Sequence, residues 1–232
     1  YYPLEPNVGK LTYRLFGNED TMYLALQNGD LDMTWAYSTG VSGSYQDVLA
    51  ATDTLTLEAV TAANAPAVLA FNNVNGPFAD ENLRLAVSYA LDYDSFRTVF
   101  GSAYASNPNR GFVPPVTVGY KETEALGQDL DKAAQYMADA GYTEKNADGF
   151  YVNANGEVCV FTLTCNAGKE AHVGYAELVK TQLEQFGIQV VLETLDADSY
   201  NAKTSNKFSE NNITMEAAIY GYTAAGMGMK NG

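Results

Sequence analysis

Apolar residues recur along this chain in two rhythms, one near 3.6 residues and one of two, and the switches between them mark out its elements. Leu11, Tyr13 and Leu15 alternate with Thr12, Arg14 and Phe16, which predicts a strand. Asn18 can then cap a helix carrying Met22, Ala25 and Leu26, with Gly29 at the position that ends it, and Leu31, Met33 and Trp35 share one face of a second strand. Residues 37–54 are small and polar around a short helix from Tyr45 to Ala51. Strands over 55–60 and 66–73 follow. Pro77 disfavours helix just before it, and Asp80 can accept a backbone N–H at the start of a helix whose Leu83, Ala86, Val87, Ala90 and Leu91 form one apolar face.

The second half alternates more regularly. A short helix is expected from Asp94 to Phe100, whereas Pro108, Pro114, Pro115, Gly111 and Gly119 make the segment from Ser102 to Tyr120 loop. Asp131 to Ala140 reads as a helix stopped by Gly141. Asp148-Gly149 and Asn155-Gly156 bracket a short hairpin strand. Strand Val158–Thr164, a long helix Glu170–Phe186 capped by Gly187, and strand Ile188–Glu193 form a βαβ unit expected to be right-handed. A helix from Ser199 to Asn206 and a strand from Met215 to Tyr220 complete an α/β chain.

Composition narrows the functional classes. With 47% hydrophobic and 18% charged residues, the 232-residue chain is an ordered globular protein able to bury a substantial core. Thirteen basic against 28 acidic residues give a net charge of −15, a field that repels nucleic acid and anionic membrane surfaces. No run reaches the ~18 apolar residues that span a bilayer. Cys159 and Cys165 fall on one face of one predicted strand. At about 3.3 Å per residue they stand roughly 20 Å apart, so they are not expected to pair.

The chemistry of catalysis is missing from the pattern. His172 is the single histidine, without partners at the spacing of a zinc site or a Ser-His pair. Gly40-Val41-Ser42-Gly43-Ser44 places Ser44 where a nucleophile elbow needs its second glycine, and Gly226-Met227-Gly228 lacks the third glycine of a dinucleotide fingerprint. Glu144, Asn146 and Asp148 resemble part of a calcium loop, but Asn155 occupies the position of its final glutamate, and a hairpin turn accounts for them better. We therefore expect no catalytic residue, no metal ligand and no cofactor.

Several motifs carry a family resemblance. Asn72-Asn73-Val74-Asn75-Gly76-Pro77-Phe78, followed by the helix with Arg84-Leu85-Ala86 and by Ala90-Leu91-Asp92, resembles the opening of the C-terminal lobe in the extracellular solute-binding proteins of the peptide and nickel class, family 5. Ala25-Leu26-Gln27-Asn28-Gly29-Asp30-Leu31-Asp32 resembles the last part of that family's first lobe, and Ala134 to Ala140-Gly141-Tyr142 its Ala-Gly-Tyr helix end. The resemblance implies a periplasmic-binding-protein-like type II lobe, a mixed sheet flanked by helices, with a small part of the other lobe. It implies residues 1–54 as a remnant of the first lobe and crossover, 55–212 as the second lobe, and 213–232 as a hinge strand returning to the first. Family members are longer and their N-terminal lobe has no counterpart here, so a fragment is expected.

The same resemblance implies a function. It is that of the extracytoplasmic binding component of an ABC importer, a cell-surface lipoprotein or periplasmic protein, closing two lobes around a small solute, with oligopeptide as the family default and a membrane permease as partner. Trp35 and Tyr37 fall at the lobe crossover, where family members carry a cleft-lining aromatic. Tyr222 and Thr223 lie in Tyr220-Gly221-Tyr222-Thr223-Ala224-Ala225, similar to the family's Gly-aromatic-x-Ala-Asp hinge. Arg110 and Phe112, in the Pro-Gly loop, complete the candidate ligand-binding set, and Arg84 is assigned to structure. In peptide binders the hinge aspartate grips the ligand's ammonium, a charge-assisted bond worth about 1.5–3 kcal/mol. Here that position is Ala225, which implies another anchoring residue or another ligand class, such as an oligosaccharide or metal chelate. Some members of the resembling family fuse this fold to DNA-binding segments, so the ligand-sensing domain of a transcription regulator is a further alternative. A hydrolase with an acidic cleft has no motif behind it.

Overall fold

A computed structural model of the chain describes residues 7–34, 41–58, 64–101, 105–107, 109, 120–205 and 213–223. It contains two compact units, Tyr1–Glu58 and Ala59–Gly232.

The first unit is helical among its described residues. Helix α1 (Glu19–Gln27) starts as its sequence predicts, with the Asn18 side chain accepting the Thr21 N–H at 3.0 Å. It ends in a paired C-terminal motif: Gly29, at φ +78°, donates to Leu26 O and Asp30 donates to Ala25 O. Helix α2 (Gly43–Ala50) packs on it through Leu49, Tyr23 and Leu26, with the Tyr23 and Tyr45 rings 4.5 Å apart and the Tyr45 hydroxyl bonded to Asp20. The strands expected over 11–16 and 31–35 do not form within the described residues. A strand needs a ladder partner, and the first stretch finds none: Leu11, Tyr13 and Leu15 stand 66%, 78% and 96% exposed. The strand expected over 55–60 is likewise absent at 55–58, and its remainder lies outside the described residues.

The second unit is built on a mixed four-stranded sheet in the order β1-β6-β4-β5. Its strands are β1 (Asn64–Phe71), β4 (Val160–Asn166), β5 (Gln189–Leu195) and β6 (Ala217–Thr223). Strand β6 runs antiparallel to β1 and parallel to β4, and β4 and β5 are parallel, as the predicted βαβ unit requires. The connecting helix α6 (Glu170–Phe186) has the predicted bounds. Gly187 ends it at φ +114°, where a Cβ would stand 2.8 Å from Gly149 O, so only glycine fits. A hairpin of β2 (Tyr142–Lys145) and β3 (Tyr151–Asn153) caps that helix end, with Lys145 Nζ 2.7 Å from Phe186 O. Its turn is the one expected in place of a calcium loop: Asn146 Oδ1 accepts the N–H groups of Asp148 and Phe150.

One face of the sheet carries the main core. Phe161, Leu163, Cys165, Val190, Ala217 and Ile219 pack against α6, α3 (Glu81–Ala90) and α5 (Leu130–Asp139). The five predicted apolar positions of α3 are all buried, and Asp80 caps the helix by accepting the Asn82 N–H. The helix expected from Asp94 to Phe100 is two pieces, α4 (Tyr93–Phe96) and a π-helical turn, Arg97–Gly101. Cys159 and Cys165 are free and buried, as expected; Cys159 lies just before β4, and burial pushes its thiol up to about 12. The opposite face is covered by α7 (Ala197–Thr204), whose Tyr200 packs with Met215 and Ala218.

Two polar side chains finish the sheet where backbone pairing stops. Asn72, buried at the end of β1, accepts the N–H groups of Val74 and Asn75 and donates to Met215 O at 3.1 Å. Glu216, at the start of β6, accepts the Thr162 N–H at 2.6 Å, one residue before β4 pairs with β6. Arg84 donates to Phe78 O at 2.6 Å and Ala79 O at 3.2 Å, tying α3 to the turn that opens it.

Replacing Asn72 by alanine leaves the buried Met215 O and the turn N–H groups of Val74 and Asn75 without their partner, and should lower unfolding stability by about 1–3 kcal/mol, read from the urea midpoint. A second prediction concerns Glu193. Its hydrogen bonds from Lys203, at 2.5 and 2.7 Å, and from Thr164 hold its carboxyl below the ordinary 4.5. A lowered folded-state value stabilises fully above the unfolded one and is lost as pH falls through the folded one. The stability gap between wild type and Glu193→Gln should therefore be full above the ordinary 4.5 and close as pH falls through the lowered folded-state value, in urea titrations at neutral and at acid pH.

Candidate functional site

In open α/β sheets, ligands bind beyond the carboxyl ends of the strands, where successive connections diverge. Here that end gathers the last residues of β4, β5 and β6 with the first residues of β1, because β1 runs against the other three. The chain leaves β4 through α6 toward β5, while β6 lies on the other side of β4.

Strand β6 brings two of the sequence-selected residues to this end. In register, Tyr222 lies opposite Ala65 and Thr223 opposite Asn64, and an irregularity in β1 between Ala65 and Val68 shifts the pairing just before them. The strand is braced from the α7 side immediately upstream. Tyr200 donates its hydroxyl to Ile219 O at 2.7 Å, and Tyr220 donates to Thr204 O at 2.6 Å, the two rings meeting edge to face at 5.8 Å. Burial raises both phenols, most strongly Tyr200, so they act as neutral donors at any physiological pH. Trp35, Tyr37, Arg110 and Phe112 lie outside the described residues.

A second segment reaches the same end without having been singled out by sequence. The turn Asn166-Ala167-Gly168-Lys169 links β4 to α6: Asn166 Oδ1 accepts the Gly168 N–H at 2.9 Å, and the Ala167 N–H donates to Leu195 O at 2.7 Å. Helix α6 starts without a side-chain cap, and His172 lies buried in its first turn, its N–H bonded to Lys169 O at 2.9 Å. The available signal was an Asn-x-Gly turn between a strand and a long helix, which also describes an ordinary connection. The Glu193–Lys203 pair and Thr164 sit one step further down the same strands, tying α7 to β5. What the described residues place at this end is a braced pair of antiparallel strands and an asparagine-held turn. Among the described residues no group of His, Cys, Asp and Glu is placed to hold a metal ion, and no helix is long and apolar enough to cross a membrane.

Known proteins share this architecture. The chain is 25% identical over 203 residues to the oligopeptide-binding protein AppA of Bacillus subtilis, spanning 84% of this chain and 35% of that protein. Among solved structures, NikA from Brucella suis in complex with Fe(III)-EDTA superposes with a TM-score of 0.78 at 18% identity, covering 96% of this chain and 43% of NikA. B. subtilis AppA in complex with a nonapeptide gives 0.67 at 21% identity, covering 90% and 40%. The chain thus spans well under half the length of each, and the structural likeness carries the fold: a lobe of the periplasmic-binding-protein type. The model describing bacterial extracellular solute-binding proteins, family 5 middle, matches residues 1–226. That family is one of binding proteins rather than enzymes, and this chain belongs to it.

Proposed function

We propose that this chain is part of the extracytoplasmic substrate-binding component of an ABC importer and that its solute is an oligopeptide. The family match over residues 1–226 carries the reading. AppA, named as an oligopeptide-binding protein, and the Helicobacter pylori DppA structure in complex with the peptide STSA support the peptide class. The protein works as a lipoprotein or periplasmic receptor that delivers solute to a membrane permease.

In this reading residues 1–54 belong to a first lobe and its crossover, 55–212 form the second lobe, and 213–232 return toward the first. The adjacent, antiparallel β1 and β6 are then the two strands by which the chain enters and leaves the second lobe. Solute selects the state in which the lobes close, with the segments near 36–55 and 211–222 absorbing the rotation. Tyr222 and Thr223 contact the solute from the hinge, Trp35 and Tyr37 from the crossover, and Arg110 and Phe112 from the loop. The net charge of −15 suits a cationic or neutral solute and disfavours nucleic acid as partner.

Ala225 supports a second reading. The family's ammonium-gripping aspartate is missing there, and NikA, whose solved structure holds Fe(III)-EDTA, has a similar fold. A metal chelate or an oligosaccharide has no ammonium to grip.

Thermal melting of the full-length protein against di- to pentapeptides, oligosaccharides and Ni²⁺ chelates separates the readings. A true solute at 100 times its Kd adds about 2.7 kcal/mol of stability. We expect the shift with peptides. A shift confined to sugars or chelates replaces the peptide reading, and none with any class directs attention to the sensing domain of a regulator. With the solute in hand, Tyr222→Ala should weaken binding about tenfold, near 1.4 kcal/mol, in calorimetry. The unliganded melting temperature should stay unchanged; a fall there would assign Tyr222 to packing instead.

A further inference from the structure

Among the described residues strand β5 is the outer edge of the sheet, and strands on an edge offer unpaired backbone groups to any other strand. The direction of those groups follows from the ladder. Gln189 donates its N–H to Cys159 O at 3.0 Å and Leu195 accepts from Ala167 N–H at 2.7 Å, so the odd-numbered residues of β5 face β4. The backbone groups of Val190, Leu192 and Thr194 therefore face outward. The run Val190-Val191-Leu192 has the composition that pairs most readily, and Val191 is 49% exposed.

At Val190 both outward groups are occupied by side chains from the last turns of α6. Lys180 Nζ donates to Val190 O at 2.7 Å, and Glu184 Oε1 accepts the Val190 N–H at 3.4 Å. Lys180 and Glu184 also bond to each other, one helical turn apart, with side chains only 35% and 30% exposed. An ordinary surface ion pair is solvated and contributes little. This one lies along the strand and stands in for the neighbour that β5 lacks.

We propose that the Lys180–Glu184 pair is a cap on the sheet edge, and that it keeps β5 from pairing with β5 of a second copy of this chain. The occupant it excludes follows from symmetry. An identical strand pairs antiparallel with itself about a two-fold axis, and each partner then brings the same apolar Val190-Val191-Leu192 run. The ends of such a pairing need Val190 O and N–H, the groups that the cap holds.

The test is the mass of the intact protein by light scattering over about a hundredfold range of concentration. Wild type should stay monomeric, whereas Lys180→Ser with Glu184→Ser should associate toward a dimer as concentration rises. Adding Val191→Lys, which puts a charge on the exposed face of the edge strand, should restore the monomer. A double variant that is folded by circular dichroism yet monomeric across the range overturns the proposal. So does association that Val191→Lys leaves untouched. If the double variant does not fold, amide exchange in the wild type decides. A Val190 amide protected more strongly than those of Leu192 and Thr194 upholds the cap, and equal exchange at the three overturns it.

Discussion

The larger unit depends on the insertion of β6 between β1 and β4. In the order β1-β6-β4-β5, the strand that opens the unit and the strand that begins the βαβ element have no ladder in common. Each is bonded instead to a segment that arrives after both of them in the chain, more than fifty residues past β4 and more than 140 past β1 in the pairing of Ala217 with Leu163 and Phe71. Until β6 is in place the sheet is two pieces, and the apolar face of Phe71, Phe161 and Ile219 has no continuous floor. A pairing of such long sequence separation closes a large loop and must be repaid by what it buries.

Polar side chains make that insertion specific. Asn72 satisfies the turn after β1 and the strand entering β6 together, and Glu216 supplies to Thr162 the acceptor that a longer β6 ladder would have supplied. Polar groups taken from water are costly unless matched, so the buried Asn72 and the half-buried Glu216 each fix a register rather than adding adhesive strength. On the other face the Tyr200 and Tyr220 hydroxyls hold α7 against the same strand, and the Lys203–Glu193 pair ties α7 to β5. Strand β6 is thus gripped on both faces and at its start, and its free end is the one that carries Tyr222 and Thr223.

That placement connects stability with the proposed role. A receptor that closes around solute needs stiff lobes and a pair of strands whose ends transmit the motion, and β1 with β6 are braced up to the residue before the candidate contacts. The same sheet meets a different demand at its far edge, where among the described residues β5 has no strand on its outer side and α6 lends Lys180 and Glu184 to its backbone. One sheet therefore ends in two ways among the described residues: at one edge by β1, at the other by β5 with two helix side chains laid on its backbone.

Local chemistry was readable in the chain. Asn18, Asp80, Gly29 and Gly187 start and stop helices through bonds within a few residues, and the bounds of α6 and the face of α3 follow from periodicity. The family motifs, short and contiguous, were readable for the same reason. What the sequence could not decide was pairing. The alternation at Leu11, Tyr13 and Leu15 looks like a strand, yet alternation says only which face an extended segment would bury, and without a ladder partner it stays open. Conversely nothing near Asn72 or Glu216 announces the bonds to Met215 O and to the Thr162 N–H, because those groups belong to strands that only the folded chain brings within reach. Sequence alone determined the helix ends, the α/β order and the family; tertiary structure decided the strand order and which polar residues complete it, since both rest on hydrogen bonds between segments far apart along the chain.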